Sequence, residues 1–217
     1  MPAIRENVKS MARGLALLAV APLLLCFLAS SRIIGADRAL HGATQWLALV
    51  PGLLGQYLRR AFLIRSLVSC HPSATVEFGT IFSKAGASIG EDAYVGPMSH
   101  IGLAQIGPGA LLGAGVHVTS GPMTHGISDT DALIRDQPGK ARLVRIGRGA
   151  WIGSSAVVMA DIGAGAVIGA GAVVTRPIPP MVVAAGVPAK ILRRLVPIDI
   201  DAPLNPDPQR PETLTLE

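Results

Sequence analysis

Aromatic residues are scarce in this chain. Only 4% of its 217 residues are Phe, Trp or Tyr, whereas 50% are hydrophobic and 25 are glycine. A globular core usually depends on large aromatic side chains for its bulk. A hydrophobic content made mostly of Ala, Val, Ile and Leu, together with so much glycine, therefore favours thin stacked layers over one thick core.

Cysteine and clustered basic residues are also few. The two cysteines are Cys26, inside an apolar run, and Cys70, after a second apolar stretch. They indicate neither a disulfide framework nor a zinc site, which fits a reducing compartment. The net charge is +5, but no stretch interleaves Lys or Arg with stacking aromatic residues. Nucleic acid is therefore not an expected partner.

An uncharged apolar run, residues 14–31, follows a start that carries Arg5, Lys9 and Arg13. As a helix rising about 1.5 Å per residue, it is just long enough to cross a bilayer core of about 30 Å. Its length and basic flank favour a membrane-embedded helix. A cleaved signal peptide and a buried helix of a soluble protein are the alternatives.

A second uncharged stretch, residues 42–58, is broken by Pro51-Gly52 and followed by three arginines. It fits a short return span or a helix at the membrane interface, with the arginines on anionic lipid. The alternative is an ordinary amphipathic helix packed on the next domain. We expect residues 1–70 to form a membrane-associated helical region that leaves the remainder cytoplasmic.

A strict period of six begins near Val76. Aliphatic residues recur every six positions, glycine follows many of them, and a small residue stands four places later. An amphipathic helix would repeat every 3.6 residues, and a meander would carry turn signals every 8–12 residues. The period of six instead predicts a parallel β-helix with three short faces per coil. The aliphatic anchors are Ile89, Val95, Ile101, Ile106, Leu112, Val118, Ile146, Ile152, Val158, Ile162, Ile168 and Val174.

The repeat is interrupted once at length. Two slips, between Ile101 and Ile106 and between Val158 and Ile162, shorten it by one and two residues. Between the anchors Val118 and Ile146 the pattern stops, and a loop that long inside a solenoid is usually functional. We therefore expect a β-helix over 71–187 with a functional loop at 119–145.

The chain end changes character again. Pro188 and the residues after it favour a short helix over 188–196, because proline suits the first helical turn. Residues 197–217 are acidic and rich in proline, which predicts a disordered tail.

The segments IGRGAWIGSSAVV, IGAGAVIGAGAVVT and VVAAGVPAKILRR resemble those of the hexapeptide-repeat acyltransferases, which include galactoside, maltose and serine O-acetyltransferases. The resemblance covers about residues 76–195. It implies a mainly β fold with a left-handed parallel β-helix, acetyl-CoA as the acyl donor, a hydroxyl acceptor and a homotrimer. No metal is expected.

The resemblance also implies a catalytic histidine in the loop that interrupts the repeats. His125, in SGPMTHG, is the matching residue, with the role of general base toward the acceptor hydroxyl. His117 is the alternative base. Asp129 and Asp131 are candidates to orient the imidazole, with solvated loop acids as the plainer interpretation.

Coenzyme A lies between neighbouring coils in that family. The matching positions here are small residues of the WIGS and IGAG segments, a Thr-Arg pair after AVV, and two basic residues near the end. The basic pair could meet the cofactor phosphates. The predicted cofactor residues are Gly153, Ser154, Ala170, Thr175, Arg176, Lys190 and Arg193.

The acceptor is less well defined by the sequence. Asparagine and acidic residues hold the acceptor in many sugar acetyltransferases of the family, but both asparagines here, Asn7 and Asn205, lie outside the repeat. The N-terminal region suggests an acceptor at the membrane, such as a lipid-linked sugar or a surface polysaccharide. The expected location is the inner (cytoplasmic) membrane, with the catalytic domain cytoplasmic.

Two other functions remain as alternatives. A γ-type carbonic anhydrase needs three histidine ligands around zinc, and the spacing of His100, His117 and His125 does not match that family. A non-catalytic membrane-bound scaffold would leave the SGPMTHG loop without a role. The sequence favours an acyltransferase.

Overall fold

The chain begins with three helices, which are followed by a β-helix. The computed structural model describes residues 2–195, and the predicted tail 197–217 lies outside them. Helix α1 spans Pro2–Ile34, α2 spans Ala36–Ala48 and α3 spans Gly52–Ser66. Gly35, at φ 86°, separates α1 from α2 in a conformation that glycine adopts without strain.

Within residues 2–195, sixteen short strands build the β-helix. They form three sheets, which are parallel except for the last strand. Sheet I contains β1 (Ser69–Cys70), β4 (Ser88–Ile89), β7 (Ala104–Ile106) and β10 (Val144–Ile146). Sheet II contains β2 (Thr75–Val76), β5 (Tyr94–Val95), β8 (Leu111–Leu112), β11 (Trp151–Ile152), β13 (Val167–Ile168), β15 (Val182–Ala185) and β16 (Lys190–Arg194). Sheet III contains β3 (Ile81–Phe82), β6 (His100–Ile101), β9 (His117–Val118), β12 (Val157–Val158) and β14 (Val173–Val174).

The predicted anchors form the core of this left-handed parallel β-helix. Each anchor pairs in register with the anchors of the neighbouring coils, as in the column Val95, Leu112 and Ile152. All of the predicted anchors are buried, and so are the small residues four places after them. The period of six is thus confirmed as one side of a three-sided coil.

The β-helix starts one coil earlier than the clear repeats do. Cys70, Val76 and Phe82 pair in register with Ile89, Val95 and Ile101, and all three are buried. Phe82 takes the place of an aliphatic anchor, and Cys70 that of another. These substitutions explain why the first coil is weakly marked in the sequence.

Neighbouring coils approach most closely at their corners. A Cβ atom added at Gly96 would lie 2.5 Å from the carbonyl oxygen of Gly113 and 2.6 Å from its carbonyl carbon. These are backbone atoms that cannot swing aside. Glycine is needed here because the backbones of stacked coils leave no room for a side chain.

The C-terminal helix predicted over 188–196 is wrong for the described residues. Residues 190–194 form β16, which pairs antiparallel with β15. The last coil presents unpaired N–H and C=O groups at the edge of sheet II, and a returning strand satisfies them in a way that a helix cannot. The loop is also slightly shorter than predicted, 119–143, because Val144 already pairs with Ala104 in sheet I.

The second apolar stretch packs against the β-helix. It is divided between α2 and α3, whose buried residues cover the first coil. Arg59 fastens the two helices: its Nε donates to the Val76 carbonyl at 2.9 Å, and one NH group donates to the carbonyls of Leu47 and Val50 at 2.9 and 2.7 Å. Burial lowers the pKa of Arg59, against the opposing effect of the Glu77 charge.

Within the described residues, one helix is long and apolar enough to cross a bilayer. It is the Met11–Ile34 part of α1. Its length and composition are those of a membrane helix, of a signal sequence or of a soluble core helix alike.

The corner packing yields a stability prediction. We expect Gly96→Ala to lower the free energy of unfolding by about 1–3 kcal/mol, because the added methyl group overpacks a backbone contact. Gly42→Ala is the matched control, since Gly42 lies in α2 with nothing within 4 Å of an added Cβ atom. Helix propensity predicts a gain of up to about 1 kcal/mol for this control. Chemical denaturation of both variants measures the effect, and equal stabilities would contradict the packing argument.

Candidate active site

A cavity of about 560 Å³ lies between the outer face of sheet III and the long loop. His100 and His117 line it from β6 and β9, and Lys84 lines it from the segment after β3. The loop contributes Thr124 and His125. The cavity therefore combines three imidazoles, an ammonium group and hydroxyl groups.

The strand pattern explains why two histidines face this cavity. Each two-residue strand of sheet III turns its second residue inward, so Ile101 and Val118 are buried and the residues before them point outward. His100 pairs with His117 in register, and their ring centroids are 6.0 Å apart in a nearly perpendicular arrangement.

A third histidine extends the row. His41 of α2 stacks on His100, with ring centroids 5.9 Å apart and an interplanar angle of 17°. Gln45 Nε2 lies 3.3 Å from His41 Nε2. We call His41, His100 and His117 the histidine ladder. It runs from the N-terminal helices down to the cavity.

The centre of the ladder favours the neutral form of histidine. Burial lowers the pKa of His100, and the neighbouring charges of His117 and His41 lower it further. A neutral imidazole has one donor and one acceptor nitrogen, so it can hydrogen-bond to a hydroxyl in either sense.

The loop that carries His125 is folded back on itself. Its two sides are joined where Lys140 N donates to the Met123 carbonyl and Arg142 N donates to the Ser120 carbonyl, both at 2.7 Å. At its base, Arg142 forms a 2.8 Å ion pair with Asp161. His125 is therefore held between an anchored hairpin-like base and the outer part of the loop.

Gly139 packs against the backbone beside His125. A Cβ atom added at Gly139 would lie 2.0 Å from the Thr124 carbonyl oxygen and 2.8 Å from the His125 amide nitrogen. The two sides of the loop thus meet at the candidate catalytic residue, and only glycine permits this distance.

Asp129 and Asp131, the two candidates to orient the imidazole, lie in the outer part of the loop. Asp129 Oδ1 accepts from Asp131 N at 3.0 Å, and buried Gln137 donates to the Asp129 and Ala132 carbonyls. Among the residues whose side chains the structure describes, neither carboxylate hydrogen-bonds to His125. The plainer interpretation of solvated loop acids fits this arrangement better than an orienting role.

The predicted cofactor residues lie on both edges of sheet III. Gly153 and Ala170 meet at the corner where sheet II turns into sheet III, since a Cβ at Gly153 would lie 2.4 Å from Ala170 N. Ser154 is at the same corner, and its carbonyl accepts from Gly171 N. Thr175 and Arg176 follow β14 and are exposed on the opposite edge.

The two basic residues separate along β16. Lys190 pairs with Ala185 at the end of β15 that is near the Gly153 corner, where Gly169 packs against Ala185. Arg193 pairs with Val183, toward the other end of the strand. Both are exposed. The structure brings Lys190, Gly153, Ser154 and Ala170 to one corner and places Arg193 apart from them.

Two members of the histidine ladder, His100 and His41, were not predicted from the sequence as parts of the site. A usable signal existed for His100: it stands one residue before an anchor, as His117 does, so the two must share a face. His41 lies on a helix whose position the repeat does not determine.

Within the part of the chain that is described, no group of three or more His, Cys, Asp or Glu residues is placed to hold a metal ion.

The ladder yields a pH prediction. In the unfolded chain the pKa of His100 is about 6.5, and in the folded protein it is lower. As the pH falls, His100 is therefore protonated in the unfolded chain before it is protonated in the folded protein. Folding stability should therefore decrease as the pH drops through 6.5 toward the folded pKa. His100→Gln should reduce that decrease, whereas His71→Gln, at an exposed position outside the ladder, should retain it. Denaturant titrations at pH 7.5 and 5.5 measure the difference, and identical pH slopes for all three proteins would refute it.

The chain matches the family described as the hexapeptide repeat of succinyl-transferase over residues 86–120 and 143–176. It is 30% identical over 174 residues to the galactoside O-acetyltransferase of Escherichia coli (strain K12), with 68% of this chain and 83% of that protein covered. The gap between the matched segments coincides with the long loop.

Solved structures share the fold. A maltose O-acetyltransferase from Clostridium difficile 630 superposes with a TM-score of 0.62 at 23% identity, covering 74% of this chain and 88% of that one. A galactoside acetyltransferase in complex with coenzyme A gives 0.60 at 24% identity, with 74% and 81% covered. The relationship to the Escherichia coli protein, together with this shared fold, establishes that the chain belongs to the hexapeptide-repeat acyltransferase family and is an acyl-group transferase.

Proposed function

We propose that the protein transfers an acetyl group from acetyl-CoA to a hydroxyl of a sugar or glycan, with His125 as the general base. The observation that carries this proposal is that His125 shares one cavity with His100 and His117, at the face flanked by the predicted cofactor residues. The acceptor would lie in the cavity, and the donor would lie along the coils.

The chemistry requires one proton acceptor at the cavity. The neutral imidazole of His125 takes the proton from the acceptor hydroxyl while the oxygen attacks the thioester carbonyl. The carbon–sulfur bond then breaks, and the departing thiolate takes the proton from the imidazolium. The acetyl group moves directly between substrates, so no covalent intermediate with the protein is needed.

The donor positions are supported by the corner geometry. The stacking of the coils requires glycine at 153, and the small, exposed residues Ser154 and Ala170 at the same corner leave the surface open to a pantetheine arm. Lys190, at the end of the same corner, carries a charge suited to a cofactor phosphate. Arg176 on the other edge and Arg193 further along β16 are proposed as weaker contacts.

The acceptor cavity suits a neutral, hydroxyl-rich molecule. Its imidazoles can donate to and accept from hydroxyl groups, and the Asp129 carboxylate accepts from Asp131 N within its own loop. His117 is the alternative base because it lines the same cavity. The N-terminal helices favour an acceptor that resides at a membrane, such as a lipid-linked sugar or a surface polysaccharide.

The proposed assembly is a homotrimer attached to the inner (cytoplasmic) membrane through residues 1–70, with the β-helix in the cytoplasm. His125 is exposed on the single chain, and a neighbouring subunit would enclose it. A closed site excludes the water that would otherwise hydrolyse the thioester.

The base role predicts a specific kinetic loss. We expect His125→Ala to lower the rate of acetyl transfer by about 10²- to 10⁴-fold without changing the Kd for acetyl-CoA. Thiol release from acetyl-CoA with a panel of free and lipid-linked sugars gives the rate, and calorimetry gives the Kd. His71→Ala, which removes an exposed histidine outside the cavity, should leave both unchanged.

Three results would each contradict one part of this proposal. Full activity of His125→Ala, with loss in His117→Ala, would transfer the role of base to His117. Absence of acetyl-CoA binding in the folded full-length protein would leave the scaffold interpretation. Equal use of free and lipid-linked sugars would count against a membrane acceptor.

The phosphate role of Lys190 predicts a second effect. We expect Lys190→Gln to raise the Kd for acetyl-CoA by about tenfold, since a charge-assisted hydrogen bond is lost. The Kd for acetyl-pantetheine, which lacks the nucleotide phosphates, should be unchanged. Arg148→Gln is the control, because Arg148 is exposed at the corner between sheets I and II. Equal weakening of both ligands would show that Lys190 acts through the fold.

A further inference from the structure

The outer face of α1 carries an uninterrupted row of exposed apolar residues. We call this row the apolar stripe: Met11, Leu15, Leu18, Pro22, Leu25 and Ala29. The spacing of four and three residues places them on one side of the helix. Leu18 is 72% exposed, and Leu25 is 67% exposed. An exposed apolar surface of this extent marks an interaction site.

The opposite face of α1 is fixed to the other helices along its length. Ala16, Val20 and Phe27 are buried there, and the Phe27 ring meets Phe62 of α3 edge to face at 5.6 Å. Further along, Phe27 and Leu23 of α1 face Ala39 and Ala43 of α2 across a shallow cleft. Both halves of the apolar segment therefore lie alongside α2 and α3.

Those two helices are tied to the β-helix by polar groups. Asp37 of α2 forms a 2.9 Å ion pair with Lys84 and accepts from Ala85 N, and Thr44 Oγ1 donates to the Phe82 carbonyl. The buried Arg59 of α3 holds three carbonyls. If α1 crossed a bilayer in this arrangement, it would bring these charged groups into hydrocarbon, where each is costly.

Arginines flank the stripe at both ends. Arg13, Arg60 and Arg65 line a cavity of about 290 Å³ together with the apolar side chains of Leu17 and Ile64. Among the side chains that the structure describes, which begin at Met11, no carboxylate lines this cavity. Arg60 also lies over the Tyr57 ring, 4.7 Å from its centroid. At the other end stand Arg32 and Arg38, both exposed. A spanning helix is normally oriented by basic residues concentrated on one side, whereas this distribution suits a helix parallel to a charged surface.

We infer that α1 lies in the plane of an anionic membrane surface, with the apolar stripe in the acyl region and the arginines among the phosphates. The cavity at Arg13, Arg60 and Arg65 takes the phosphate of an anionic phospholipid headgroup. This inference rests on the membrane attachment included in the proposed function and specifies its geometry. The protein enters one leaflet only, and the β-helix stays attached at the surface.

The geometry is tested by measuring insertion depth along the stripe. Full-length variants with a single reactive cysteine, Leu15→Cys, Leu18→Cys, Leu25→Cys or Ala29→Cys in a Cys26→Ala background, are labelled with a fluorophore and bound to phosphatidylglycerol vesicles. Cys70 is buried, and burial raises the pKa of its thiol to about 11, so it does not take the label. Lipids with quenchers at known acyl positions then report the depth of each probe.

An in-plane helix places all four probes at one shallow depth. A spanning helix separates positions 15 and 29 by about 21 Å along the membrane normal. A graded depth therefore overturns the proposal. The proposal is also overturned if the protein does not bind vesicles and instead forms a soluble oligomer that buries the stripe. In that case a second copy of the chain covers the apolar stripe.

The headgroup cavity is tested with Arg13→Gln/Arg65→Gln. We expect this double variant to bind phosphatidylglycerol vesicles at least tenfold more weakly. The control Arg145→Gln/Arg148→Gln removes two exposed charges from the β-helix, and we expect its affinity for the same vesicles to stay close to that of the unmodified protein. Inorganic phosphate at millimolar concentration should not displace the protein if the ligand is a lipid. Equal losses in both double variants, or displacement by phosphate, would overturn the lipid site.

Failure of this inference is separable from failure of the proposed enzymatic activity. Acetyl transfer to a soluble sugar is measured on the same preparations without vesicles. The arginine variants should retain that activity, because Arg13 and Arg65 lie outside the cavity of His125.

Discussion

Hydrogen bonding between stacked coils is the interaction on which the whole structure depends. Each coil donates and accepts along three short sheets, as where Leu111 N donates to the Ala150 carbonyl and Gly113 N donates to the Ile152 carbonyl. Strands of two residues have almost no stability alone, so each coil is ordered only by its neighbours. This explains why an inward aliphatic residue and a closely packed corner recur together throughout the repeat.

Such stacking leaves two ends with unpaired backbone groups, and the chain closes them differently. At the N-terminal end, α2 and α3 cover the first coil, and Arg59 and Thr44 satisfy carbonyls of that coil and of the helices. At the other end, β16 returns antiparallel to β15 and pairs with the last edge of sheet II. The helices cover the first edge, whereas β16 becomes the exposed edge strand of sheet II, and its charges Lys190, Arg193 and Arg194 discourage pairing with another chain.

The regular scaffold allows one irregular segment to be placed accurately. The loop 119–143 leaves sheet III directly after His117-Val118 and returns to sheet I at Val144. Its base is fixed by the Arg142–Asp161 ion pair, at the place where a slip in the repeat leaves Asp161 beside β10. This departure from the period of six thus helps to hold His125, the candidate general base, in position. The same sheet carries the histidine ladder to the N-terminal helices, so α2 takes part in both the capping and the candidate site.

The sequence by itself determined the β-helix, its anchors, the position of the long loop and the family, because inward residues recur at fixed intervals and each coil contacts only the next. It predicted His125 through resemblance, and that role remains a prediction. The prediction of a C-terminal helix was wrong, because Pro188 suits a helix start locally, whereas the open edge of sheet II makes strand pairing more favourable. Only the tertiary structure decided that residues 42–58 pack on the first coil, that His41 joins His100, and that α1 is held lengthwise against polar helices. These are contacts between segments without a shared period, and local patterns carry no information about which surfaces of such segments meet.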